Sequence, residues 1–149
     1  QSLVANENSA GIARDPLRRL AALLPRDSHL AERIATRLKL SKKARKRVAC
    51  AANPEPIKDP HGTAYYCGVE CAVDRLLLQN RPDIAASVAH WQSPKLPISG
   101  GSLIKRGLTQ GPIVAKALQA IERQWVESGF PDGGEFERIV EGVLAAARP

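Results

Sequence analysis

Apolar residues along this chain recur at spacings of three and four and never alternate with period two for long enough to make a strand. The pattern therefore predicts an all-α protein. Asp15-Pro16 opens a helix as N-cap and first residue, Leu17, Leu20, Ala21 and Leu24 form its inner face, and Pro25 ends it. Asp27 or Ser28 caps a second helix with Leu30, Ile34, Ala35 and Leu38 inward, and Ser41 caps a third. Asn53 to Gly62 carries three prolines and reads as a loop. A fourth helix is expected from about Thr63 to Asn80, with Tyr66, Val69, Val73, Leu76 and Leu77 inward. Pro82-Asp83 opens a fifth, to about Trp91.

Prolines hold Gln92 to Pro97 extended, which makes this the best boundary in the chain. Ser99 then caps a short helix that Gly107 ends, and Gly111-Pro112 starts another whose inner face is Val114, Leu118, Ile121 and Trp125. That helix runs to about Gly129. Phe130-Pro131 and a Gly-Gly turn precede a last amphipathic helix with Phe136, Ile139, Val140, Val143 and Leu144 on its apolar face. About eight helices are expected. Residues 1–14 read as a leader or the end of a missing upstream domain, 15–92 as a helical body and 93–149 as a helical tail. The chain opens on Gln1 and contains no methionine, so a fragment of a longer protein is expected.

Charge changes the picture more than composition does. The net charge is +7, yet from Glu127 onward five acids face two bases, which leaves +10 on the first 126 residues. A basic body of this size favours a polyanion as partner. The densest run is Lys39, Lys42, Lys43, Arg45, Lys46 and Arg47, with no acid among them. Like charges at helical spacing cost a few tenths of a kcal/mol per pair, which an anionic partner would offset. A merely solvated face is the alternative. The second candidate is the Gly-Pro turn, where Ser99, Gly100, Gly101, Lys105, Arg106, Gly111 and Lys116 combine exposed amides with cations near a helix N-terminus. Tyr65 offers a stacking surface for a base, although a helical Tyr-Tyr pair is more often core and rim.

No apolar run is long enough for a transmembrane helix and no secretory signal is read, so a cytoplasmic location is expected. Three cysteines, Cys50, Cys67 and Cys71, fit a reducing compartment. Cys67 and Cys71 sit four apart in a helical pattern, where their Cβ atoms would be roughly 5–6 Å apart and too distant for a disulfide. With His61 the three would make a Cys3His zinc set, but no Cys-x2-Cys pair exists and small helical cysteines are usually just buried. No metal or cofactor is therefore expected in this chain. His29 and His90 have no partner at readable spacing. No P-loop, Rossmann glycine pattern, nucleophile with its base, or Asp-x-Asp metal pair is present, and the acids of the final helix look like a solvated face. On these residues the chain has no catalytic centre.

The block from Leu96-Pro97-Ile98-Ser99-Gly100-Gly101-Ser102 through Gly107, then Gly111-Pro112 and the helix to Trp125, resembles the C-terminal motif of bacterial CCA-adding enzymes, the tRNA nucleotidyltransferase and poly(A) polymerase family. Asp15 to Pro25, Leu38 to Ser41, and Tyr66 to Leu78 with Gly68 and Asp74 are similar to the earlier helical body of the same proteins. The resemblance implies an irregular array of helices that grips tRNA by its backbone. It also implies an upstream catalytic head in the same polypeptide, using Mg²⁺ with ATP and CTP. Where relatives favour Asp after Ser-Gly-Gly this chain has Ser102, and where they favour Ser-Asn-x-Glu it has Ser41-Lys42-Lys43-Ala44. Two other readings compete: a helix-hairpin-helix DNA-binding module, and a helical adaptor with incidental charge.

Overall fold

The computed structural model describes residues 2–148. Among them it forms ten helices and no strand: α1 (Ser2–Ala10), α2 (Pro16–Leu23), α3 (Ser28–Arg37), α4 (Lys42–Ala51), α5 (Pro60–Cys67), α6 (Val69–Leu78), α7 (Pro82–Ala89), α8 (Gly100–Lys105), α9 (Pro112–Glu127) and α10 (Gly133–Ala147). The all-α expectation holds, with two more helices than about eight. One extra is α1, in the stretch read as a leader. It shows no clear period because what it buries is one leucine and, four residues on, a carboxylate, Leu3 and Glu7. The other arises because the helix expected from Thr63 to Asn80 breaks at Gly68. This glycine has φ 95°, its amide ends α5 on the Ala64 carbonyl, and its carbonyl receives the first amide bond of α6. The break swings Tyr66, expected inside, out to 59% exposure.

Four caps are those the sequence predicts, while the helix expected to open near Thr63 starts at Pro60, inside the stretch read as a loop, with Asp59 accepting from the Gly62 amide. Asp15 accepts from the amides of Leu17 and Arg18, and Asp27, rather than Ser28, accepts from Leu30. Ser41 accepts from Ala44 and Ser99 from Ser102. Each satisfies an orphan N–H at a helix start and is worth about 1 kcal/mol.

The chain divides into two compact units between Ser93 and Pro94. In the first unit α6 is central and packs against α1, α4, α5 and α7, so every residue from Cys71 to Leu77 is buried. One apolar cluster joins Leu3, Ile57, Ala64, Val73, Leu76, Leu77, Ala85 and Val88. A second is mostly alanine (Ala21, Ala31, Ala35, Ala51 and Ala52 with Val48), small side chains that let α3 and α4 approach closely.

The polar half of α6 is not wasted on solvent. Asp74, with no exposure at all, accepts from Arg18 Nε at 2.8 Å and from Arg47 Nε and Nη2 at 2.8 and 3.1 Å. Arg18 Nη1 also donates to Glu7 at 2.9 Å, Arg19 donates to the other Glu7 oxygen at 2.9 Å, and Arg47 Nη1 lies 3.0 Å from Asp15. Three arginines thus meet three carboxylates. Burial pushes the Glu7 carboxyl up, but the Arg19 and Arg18 hydrogen bonds outweigh it and hold the group below its ordinary value. Asp15 is likewise pushed up by burial, then drawn below its ordinary value by the Arg18 amide and by Arg47. A carboxylate lowered in the folded state adds stability that is fully present above its unfolded pKa, near pH 4. That stability is lost as pH falls through the folded value.

In the second unit α9 and α10 pair along Ala117, Ile121, Trp125, Phe136, Val140, Val143 and Leu144, all buried. Trp125 donates its indole N–H to the Pro131 carbonyl at 2.9 Å and meets Phe130 edge-on with ring centroids 5.0 Å apart. This fixes the turn between the two helices. The short α8 packs on α9.

Candidate nucleic-acid interface

The basic run divides into an outward set and an inward set. Lys39, Lys42, Lys43 and Lys46 are exposed, and none forms an ion pair among the described residues. Lys42 and Lys43 are the first two residues of α4, where the helix dipole already presents positive charge. This arrangement is unfavourable for the isolated helix and favourable for an anion beside it.

Arg47 goes the other way. Its side chain is 15% exposed and is committed to Asp74, Asp15 and, at 3.7 Å, Glu70. The Asp74 hydrogen bond, working against burial, holds its guanidinium well above the ordinary arginine value. Read in the sequence as a phosphate contact, Arg47 is a strut of the first unit, because it shares a helix face with Ala44, Val48 and Ala51. Arg45 is half-buried, with Nη1 3.4 Å from Thr36 Oγ1.

Lys39 sits at φ 55° and closes α3: its amide donates to Thr36 O and the next amide, of Leu40, reaches back to Ala35 O. Glycine is the usual residue here, and Gly107 occupies the matching position after α8. Lys39→Gly should therefore stabilise the chain by about 0.5–1 kcal/mol, left-handed strain relieved less the added unfolded-chain entropy of glycine. Urea unfolding measures this. If the lysine is kept for an anion, the same variant binds RNA more weakly, and equal binding would show that its charge is idle.

In the second unit Ser99 caps α8, and its Oγ also lies 3.1 Å from that of Ser102. A Cβ on Gly100 would come within 3.2 Å of Val114 Cγ1, so glycine lets the start of α8 lie against the first turn of α9. Gly101 is exposed beside it. Gly107 and Gly111 have φ 102° and 118°, and Gly111 leaves α9 with no side-chain cap. Lys105 and Lys116 are exposed and unpaired among the described residues. Arg106 instead turns to α10, 2.7 Å from Glu137 and 3.4 Å from Glu141, and Glu137 raises its guanidinium above the ordinary value. The acids of α10, expected to be a solvated face, thus hold part of the basic set.

Two further features are absent from the sequence reading. One is the buried ion network. The other is the cysteines: Cys50 and Cys71, 21 residues apart, form a disulfide between α4 and α6, and Cys67 is a free, exposed thiol. The expectation of three reduced, separately buried thiols is corrected. The pairing was hidden because it depends on two helices packing, not on spacing along one. His61 is not with them and meets the Trp91 ring edge-on at 5.0 Å. No helix of the described residues is long and apolar enough to cross a membrane.

Among known proteins, no family model matches this chain and no solved structure matches it. It is similar to CCA tRNA nucleotidyltransferase 1, mitochondrial, of Mus musculus, with 26% identity over 146 residues, covering 84% of this chain and 32% of the mouse protein. The chain thus spans about a third of that relative's length. The likeness supports a relation to CCA-adding enzymes.

Proposed function

We propose that this chain is the tRNA-gripping helical part of a nucleotidyltransferase that adds nucleotides, CCA or a poly(A) tail, to an RNA 3′ end. The chemistry would be done by a separate catalytic head of the same polypeptide using Mg²⁺ with ATP and CTP. What carries the reading is the likeness to the mouse enzyme over 84% of the chain, and the four lysines along α4 and the turn before it, with no acid partner among the described residues, support it. Lys39, Lys42, Lys43 and Lys46 in the first unit, and Lys105 and Lys116 with the open start of α9 in the second, are the groups assigned to phosphates. Arg45, Arg47 and Arg106 hold the scaffold.

The physical logic is recognition of outline rather than of sequence. An A-form arm hides its base edges in a deep groove and displays phosphates and 2′-hydroxyls. Compact, solvated ammonium groups suit such contacts, which position the RNA without reading bases. Each phosphate neutralised releases counterions, giving a log–log salt slope of roughly −0.7 to −0.9. Four contacts therefore weaken tRNA binding about 50- to 150-fold between ~50 and ~200 mM salt. A filter-binding titration of the chain at both salts reads this directly. Flat curves, or duplex DNA competing as well as tRNA, would overturn the assignment, the second outcome in favour of a helix-hairpin-helix DNA-binding role.

A further inference from the structure

We propose that the reduced chain binds one soft divalent cation, Zn²⁺ in the first instance, through the sulfurs of Cys50, Cys67 and Cys71. The three Sγ atoms lie within 4.8 Å of one another although they come from three helices: Cys50 from α4, Cys67 from the last position of α5, Cys71 from α6. Thiolates around a tetrahedral Zn²⁺, at Zn–S near 2.3 Å, stand about 3.8 Å apart. Cys67 is therefore near enough to join the other two, while the Cys50 and Cys71 sulfurs, bonded to each other in the oxidised chain, must part by about 1.8 Å once reduced. The break at Gly68 makes the convergence possible. In one continuous helix Cys67 and Cys71 would be stacked along a face, whereas the positive φ re-aims Cys67.

The surroundings fit a thiolate complex rather than a bare cation. The same pocket is lined by Lys43, Lys46, Arg47 and Glu70. Three thiolates and Zn²⁺ sum to one negative charge, which the three nearby bases stabilise. A fourth ligand would be water or the carboxylate of Glu70, which lines the same pocket. Opening the site from the disulfide form takes two electrons and two protons from a thiol reductant. This converts the Cys50–Cys71 bond to two thiols and the reductant to its disulfide, and Zn²⁺ then displaces three thiol protons. The oxidised chain keeps one thiol and has no site. None of this depends on the RNA-binding reading.

The test uses the full chain, reduced with a phosphine that is then removed, and titrated with Zn²⁺ or Cd²⁺. Sulfur-to-cadmium charge-transfer absorption should saturate at one equivalent, and an aromatic disulfide reagent should count three thiols before Zn²⁺ and none after it. Cys67 is exposed, so Cys67→Ser should keep its helical content by circular dichroism. Its affinity should fall more than about 100-fold, beyond what losing an outer-sphere partner costs. A reduced chain without the band, or a Cys67→Ser variant that binds as tightly, overturns the site.

Discussion

Asp74→Ala should lower the unfolding free energy of the first unit by about 3–5 kcal/mol, the cost of removing one partner from a buried ion network. Asp74 is the hinge of that network because it takes three guanidinium hydrogen bonds, one from Arg18 and two from Arg47, with no access to water. Without it, Arg18 keeps Glu7 and the Ala13 carbonyl but loses its Nε acceptor, and Arg47 falls back on Asp15 and the distant Glu70. A domain of this size is stable by only about 5–15 kcal/mol, so the variant should be marginal at 37 °C. Glu70→Ala is the control: its carboxylate is 63% exposed and 3.7 Å from Arg47, and such rim pairs contribute about 0–1 kcal/mol. Urea unfolding of the two variants against the parent settles the matter. A loss under ~1 kcal/mol for Asp74→Ala would mean that the arginines relax to water, and that the network is not what ties α2, α4 and α6 together.

That network marks the line between what the residues announce and what only packing decides. Asp15, Ser41 and Ser99 could be read as caps because a cap is a hydrogen bond to an amide two or three residues away. The inner faces of α2, α9 and α10 follow from periodicity for the same reason, and so does that of α3 except at Leu38, expected inside, which lies past the last residue of the helix as its C-cap and is 53% exposed. Arg18 and Asp74 are 56 residues apart and Cys50 and Cys71 are 21 apart, and nothing local links either pair. Arg47 is the intermediate case. Charge alone groups it with Lys46, yet it lies three residues after Ala44 and four before Ala51, on the face that carries Val48, and that azimuth was a readable sign that it turns inward. Gly68 gave less warning, since apolar periodicity runs through it and only its left-handed backbone divides α5 from α6.

Replacing Lys39, Lys42, Lys43 and Lys46 together with Glu should cost roughly a thousandfold or more in tRNA affinity at ~50 mM salt, since four contacts carry a combined log–log slope near −3. The variant separates binding from folding because its effects on the two have opposite sign. All four side chains are exposed and unpaired among the described residues, so no native contact is lost. Acids at the first two positions of α4 complement the helix dipole, where lysines oppose it, by about 0.3–1 kcal/mol each. Repulsion along the run is relieved as well, so the melting temperature should hold or rise while binding collapses. A fall in both would trace the lost affinity to damaged structure. Unchanged binding would make the charge incidental and favour the adaptor reading. A loss confined to within tenfold would move the grip to Lys105, Lys116 and the start of α9. Only the combination of retained fold, lost tRNA and a flattened salt dependence assigns the basic face of α4 to the phosphate backbone.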